Sequence, residues 1–155
     1  WQGAFRVGWF DLVLAKYAVT INQGLDSLGI TCLDQLSGAE RIRVCTSYRL
    51  TADKETAERF FRTRSLNDTE VEVTGLTPFT PPIAQTEERT QLLNLCVPHT
   101  WVDFPGWQDD LRSCRRWNDF PREAQAYLEF IASELQLPLH LVSVGPTAAD
   151  KIFLP

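Results

Sequence analysis

Two short stretches carry residue types that could hold a flat polar ligand: Thr31-Cys32-Leu33-Asp34 and Ser143-Val144-Gly145-Pro146, each at the end of an apolar run. The carboxylate of Asp34 can accept two parallel hydrogen bonds from adjacent N–H donors. A guanine ring offers that pair through N1 and its exocyclic amine, and adenine does not. A charge-assisted bond of this kind contributes about 1.5–3 kcal/mol, enough to separate two purines by about ten- to a hundred-fold. The same residue type also caps turns, with Ser37-Gly38 as turn partners. Ser143 and Gly145 read two ways as well, as a tight turn or as backbone brought against a flat ligand. Both readings stand at this point.

Other chemistry is thin. His99 and His140 are single, distant in sequence and flanked by apolar residues, which suits packed or surface positions. Arg115 and Arg116 in "SCRRW" could meet phosphate, although a solvated loop fits them as well. There is no G-x-x-x-x-G-K-[ST] loop and no Ser/His/Asp or Cys/His set, so no catalytic residue is assigned. Cys32, Cys45, Cys96 and Cys114 lack the close pairs that bring thiolates onto one zinc ion; they read as reduced thiols of a cytoplasmic protein, with no metal site. A net charge of −5 sets no basic field against a phosphate backbone, which argues against nucleic acid as a partner. No run of roughly 18 apolar residues is present to span a membrane.

The elements that must position the two stretches follow from periodicity. At 155 residues the chain suits a single domain. Phe10, Val13, Leu14, Tyr17, Ala18 and Ile21 repeat at helical spacing and predict a helix over 9–23 with that stripe buried, ended by Gly24. Leu28–Leu33 reads as a short strand covered on both faces, with Asp34 at its edge. Residues 41–50 alternate, which predicts a strand with Arg41, Arg43, Cys45, Ser47 and Arg49 on a wet face. Residues 51–82 show no sustained period and read as an irregular excursion with helical turns around 55–61. Glu87–Leu95 reads as helix, Val97–Phe104 as extended and "FPGW" as a turn. Asp119 is expected to cap a helix that carries Pro121 in its first turn and Ala124, Tyr127, Leu128, Ile131 and Leu135 facing inward. Leu139–Val144 and Ile152–Leu154 read as strands. The expected class is α/β, a mixed sheet with flanking helices.

Read in order, "RVGWFDLVLAKYAVTIN", "LDSLGITCLDQLSG", "IRVCTSYRL", "FPGWQDDL", "FPREAQAYLEFI" and "LPLHLVSVGP" resemble the C-terminal third of adenylosuccinate synthetase. The resemblance spans most of residues 6–154, with 51–82 looking like an insertion. It implies the C-terminal part of a larger P-loop-like GTP-dependent ligase fold. That family joins IMP to L-aspartate at the expense of GTP, with magnesium, through a 6-phosphoryl-IMP intermediate. Its guanine pocket carries T-K-L-D, matched here by Thr31, Cys32, Leu33 and Asp34, so the base-reading Asp is kept and the Lys is replaced by Cys32. Its S-x-G-P turn is matched by Ser143, Val144, Gly145 and Pro146. Of its T-T-G-R-x-R-R loop, only Arg6 matches, at the last arginine.

The family's glycine-rich phosphate loop, catalytic Asp and catalytic His lie in an N-terminal part without a counterpart in this sequence. The resemblance therefore implies a chain that supplies the guanine end of a GTP site, is not catalytic by itself, and holds neither GTP nor magnesium alone. Its partners would be the N-terminal region of the same enzyme and GTP or GDP, with a homodimer as the assembly admitted for the full-length family. The chain has no Met and opens on Trp1, which suits a processed product or a piece of something longer. The alternative is a stand-alone degenerate remnant that serves as a non-catalytic binding or interaction module.

Overall fold

The computed structural model describes residues 7–78 and 83–154. In chain order the elements are β1 (Phe10–Asp11), α1 (Leu12–Ile21), β2 (Leu28–Ile30), a 3₁₀ turn at Leu33–Leu36, β3 (Arg41–Thr51), α2 (Lys54–Glu58), β4 (Phe61–Ser65), β5 (Glu70–Leu76), α3 (Ile83–Leu95), β6 (Val97–Pro105), 3₁₀ turns at Leu111–Ser113 and Trp117–Asp119, α4 (Arg122–Leu135), β7 (Leu139–Ser143), a 3₁₀ turn at Ala148–Asp150 and β8 (Lys151–Phe153). Where the length suited one domain, the chain divides into two compact units. One holds the described residues up to Ile21 together with Arg43–Val102, and the other holds Asn22–Ile42 with Asp103 onward.

The first unit is built on a mixed sheet in the order β1-β3-β5-β4, with β6 also paired to β3. β1 runs parallel to β3, whereas β5 is antiparallel to both β3 and β4. Asp11 begins α1 by accepting from the Leu14 amide at 3.0 Å, and its other carboxylate oxygen accepts from the Tyr48 hydroxyl. Only Leu12 and Val13 of α1 are buried; Leu14 and Ile21 are 42% and 52% exposed. The stripe expected inward on this helix is thus only partly covered, with Val13 in the apolar core and Tyr17 packed against it.

Residues 51–76 are regular rather than irregular. Asp53 caps α2 by accepting from Thr56 N at 2.8 Å, and β4 and β5 form a hairpin closed by Leu66 N to Glu70 O at 3.0 Å. Phe60, Phe61, Val71, Val73 and Leu76 pack with Val13, Cys45, Tyr48, Leu50 and Ala57 in one apolar cluster. Strand β3 also departs from expectation: Cys45 and Ser47 are buried, Cys45 within that apolar cluster and Ser47 donating through Oγ to Glu72 Oε1 at 2.6 Å.

The second unit carries a three-stranded sheet in the order β2-β7-β8, with β2 parallel and β8 antiparallel to β7. Together the two sheets make a mixed α/β fold, as the sequence implies. β2 is shorter than expected and is an edge strand, with Gly29 exposed, so it is not covered on both faces. Helix α4 buries Ala124, Tyr127, Leu128, Ile131 and Leu135, the five positions its periodicity predicts, and it packs on β7. Pro121 stands at its N-cap, whereas Asp119 closes the preceding 3₁₀ turn by accepting from Arg115 N at 3.0 Å and Arg116 N at 3.2 Å. Among the described residues no helix is long and apolar enough to cross a membrane.

Candidate functional site

Parallel pairing decides where the two candidate stretches leave the sheet. Ile30 of β2 stands opposite Val142 of β7, so Thr31 and Ser143 emerge side by side at the carboxyl ends of adjacent strands. Ligands of open α/β sheets gather at such ends, where the loops begin. After Ile30 the chain passes through Cys32 at φ 61, in the left-handed region, and enters the 3₁₀ turn. A non-glycine residue held there carries strain of order 1 kcal/mol. Backbone bonds close the turn, Gln35 N to Cys32 O at 3.1 Å and Ser37 N to Asp34 O at 3.2 Å. Buried Leu33 anchors it.

Asp34 therefore lies within the 3₁₀ turn rather than at the strand edge, half-buried. Its carboxylate accepts from the Gln35 side-chain amide at 3.0 Å. It lines a cleft of about 400 Å³ with Gln35, Ser37 and Gly38 on its own segment and Gln108, Asp110 and Arg112 across from it. That volume falls within the ordinary range of small-molecule sites.

The far wall is fixed by the "FPGW" turn. Gly38 N donates to Trp107 O at 2.8 Å, Gly106 N to Glu40 O at 3.0 Å, and the indole Nε1 of buried Trp107 to Ser37 Oγ at 3.3 Å. Asp110 then holds Arg112 as a bidentate pair, Nε to Oδ1 at 2.9 Å and Nη2 to Oδ2 at 2.8 Å. Arg112 holds Asp110 below the usual carboxylate range. In turn Asp110 pushes Arg112 up, and Asp34 and Asp150 add to that at longer range.

The Ser143–Pro146 bend does not line this cleft. It follows β7 directly, and β7 packs on the 3₁₀ turn that holds Asp34. Ser143, 1% exposed, donates through Oγ to Gly145 O at 2.8 Å, and Val144 N donates to Asp150 O at 3.0 Å. A Cβ on Gly145 would stand 2.7 Å from the Asp150 carboxyl, so only glycine fits without displacing it. Sequence reasoning missed Lys151, whose ammonium donates to Ser143 Oγ at 2.8 Å, Gly145 O at 3.0 Å and Thr147 O at 2.9 Å. Its role depends on the antiparallel return of β8, which gives no local signal.

The remaining candidates are not brought here as ligands. Arg6 lies outside the described residues. Arg115 Nη1 donates to the carbonyls of Arg112 and Cys114, both at 2.7 Å, and Arg116 pairs with Asp119 at 3.1 Å. His99 and His140 are exposed, the latter edge-on to Phe153 with ring centres 5.9 Å apart. Among the described residues no three His, Cys, Asp or Glu side chains converge as a metal site.

A family model described as adenylosuccinate synthetase matches residues 4–97 and 89–152. The chain is 33% identical over 147 residues to the adenylosuccinate synthetase of Pelotomaculum thermopropionicum, covering 95% of this chain and 27% of that protein. To that of Acidothermus cellulolyticus it is 35% identical over 149 residues, 96% of this chain and 28% of the relative. The fold matches the structure of fully ligated adenylosuccinate synthetase from Plasmodium falciparum with a TM-score of 0.66 at 23% identity, covering 96% of this chain and 29% of that one. The chain thus spans 27% of the length of the first of these relatives, and it belongs to the adenylosuccinate synthetase family.

Proposed function

We propose that this chain supplies the guanine end of a GTP site within an adenylosuccinate synthetase, the ligase that joins IMP and L-aspartate as GTP becomes GDP and phosphate in purine nucleotide synthesis. The observation that carries the reading is the parallel register of Ile30 and Val142, which sends the Asp34 turn and the Ser143–Pro146 bend out of the same end of one sheet. In this reading Asp34 accepts from guanine N1 and the exocyclic amine, exchanging its bond to Gln35 for the ligand's, while the bend supplies a wall of backbone.

Catalysis is assigned to the rest of the polypeptide, since none of the residues gathered here forms a base with a nucleophile. The family's magnesium finds no converging set of ligands among the described residues. It is assigned to the nucleotide phosphates and that same remainder. The outer face of α1, where Leu14 and Ile21 are 42% and 52% exposed, suits cover by that remainder. Cys32 in place of the family's lysine favours a second reading, a non-catalytic binding module.

Titration of the chain with GDP and ADP tests the proposal. Guanine nucleotide held by the chain alone is expected to be bound only weakly, GDP still at least about tenfold tighter than ADP, and Asp34→Asn to erase that preference. An unchanged preference in Asp34→Asn would remove Asp34 from the site. The chain alone is expected to form no adenylosuccinate from IMP, aspartate and GTP, and turnover by it would contradict the assignment of catalysis.

A further inference from the structure

We infer that Lys151 is a positioning residue for the purine site: its ammonium clamps the Ser143–Pro146 bend into a single conformation. The inference rests on the reading above. β8 runs antiparallel to β7 with Lys151 opposite Ser143, so the side chain needs only to fold back over the bend that follows. An ammonium has three donors, and here each has an acceptor: Ser143 Oγ, Gly145 O and Thr147 O.

Two of those acceptors have little recourse to water. Ser143 is 1% exposed, and its hydroxyl proton is already given to Gly145 O, which leaves a lone pair for Lys151 to satisfy. From the other side the Asp150 carboxylate occupies the space a Cβ on Gly145 would need. It is held there by Thr147 N at 2.8 Å and Thr147 Oγ1 at 2.7 Å. A cation on the carbonyls and a carboxylate on the glycine thus leave the bend one shape.

Lys151 does not stand in for the lysine that Cys32 replaces. With its three donors engaged within the bend, it has none left for a base. Its effect on a ligand runs through the wall it fixes, which lowers the ordering cost of binding.

The test reads Lys151→Met in the 155-residue chain by amide hydrogen exchange and by titration with GDP and ADP. Exchange at Val144 and Thr147 is expected to quicken about tenfold, with Ile131 in α4 unchanged, and GDP affinity to fall about tenfold at a similar Tm. If Lys151→Met does not fold, Lys151→Gln, which keeps two amide donors, is read in the same two assays. Unaltered exchange at the bend overturns the clamp. So does faster exchange with GDP affinity intact in a chain whose Asp34→Asn variant loses its guanine preference; in that outcome the purine site stands and only the role of Lys151 falls. A wild-type chain with no preference for GDP over ADP sinks the site itself and the inference with it.

Discussion

Gly106 lies against the backbone carbonyl of Ala39 so closely that a Cβ on it would overlap the carbonyl oxygen. The contact joins the "FPGW" turn to the segment that follows Asp34, and the Gly106 N to Glu40 O bond at 3.0 Å runs beside it. A backbone oxygen cannot swing aside as a side chain can. Gly106→Ala is expected to destabilise by about 1–3 kcal/mol and lower Tm by roughly 2–4 °C for each kcal/mol. Gly8→Ala, at a position with open space around it, serves as the neutral control in the same thermal melt.

Tyr48 and Asp11 give a second prediction. Burial first, and then the hydrogen bond and charge of Asp11, push the Tyr48 phenol far above its ordinary value of 10, while burial pushes Tyr127 up to about 12. Both folded values lie above the unfolded one. The stabilisation they give is therefore complete below about pH 10 and is lost as pH rises through the folded values. An ultraviolet titration at pH 11 should show Tyr48 and Tyr127, two of the chain's three tyrosines, still protonated until denaturant is added. Tyr48→Phe should lower stability at neutral pH by about 1–2 kcal/mol, measured by urea unfolding.

A third prediction concerns the hairpin. Phe61 is 2% exposed and sits in the cluster with Leu50 and Val73. Phe61→Ala should cost about 3–5 kcal/mol. Arg64→Ala, on the exposed side of the same strand, should change stability by less than about 0.5 kcal/mol. Equal effects from the two would return residues 51–76 to the status of a peripheral excursion.

That hairpin was also the least legible part of the sequence. Its apolar positions, Phe61, Val71 and Val73, alternate with Arg62, Arg64, Glu70 and Glu72 over strands too short to establish a period, and its turn is held by bonds among Leu66, Asn67, Thr69 and Glu70, the Asn67 side chain accepting from Thr69 N at 2.9 Å. Helix α4 was legible because one face is buried along its whole length, so burial and periodicity agree. On α1 they part, since Leu14 and Ile21 keep helical spacing yet remain exposed. Of the candidate site, Asp34 and the Ser143–Pro146 bend were readable as residue types at strand ends. Arg112, Asp110 and Lys151 were not, because each reaches its place through a turn or a strand return that only the fold supplies.

The central claim, that the Asp34 turn and the Ser143–Pro146 bend serve one purine, is tested most directly by following backbone amide resonances while GDP is added. The account predicts that Leu33, Asp34 and Gln35 shift together with Val144 and Gly145 at a common apparent Kd, and that ADP at the same concentrations moves neither set. Shifts confined to one segment, or equal shifts with ADP, would contradict it.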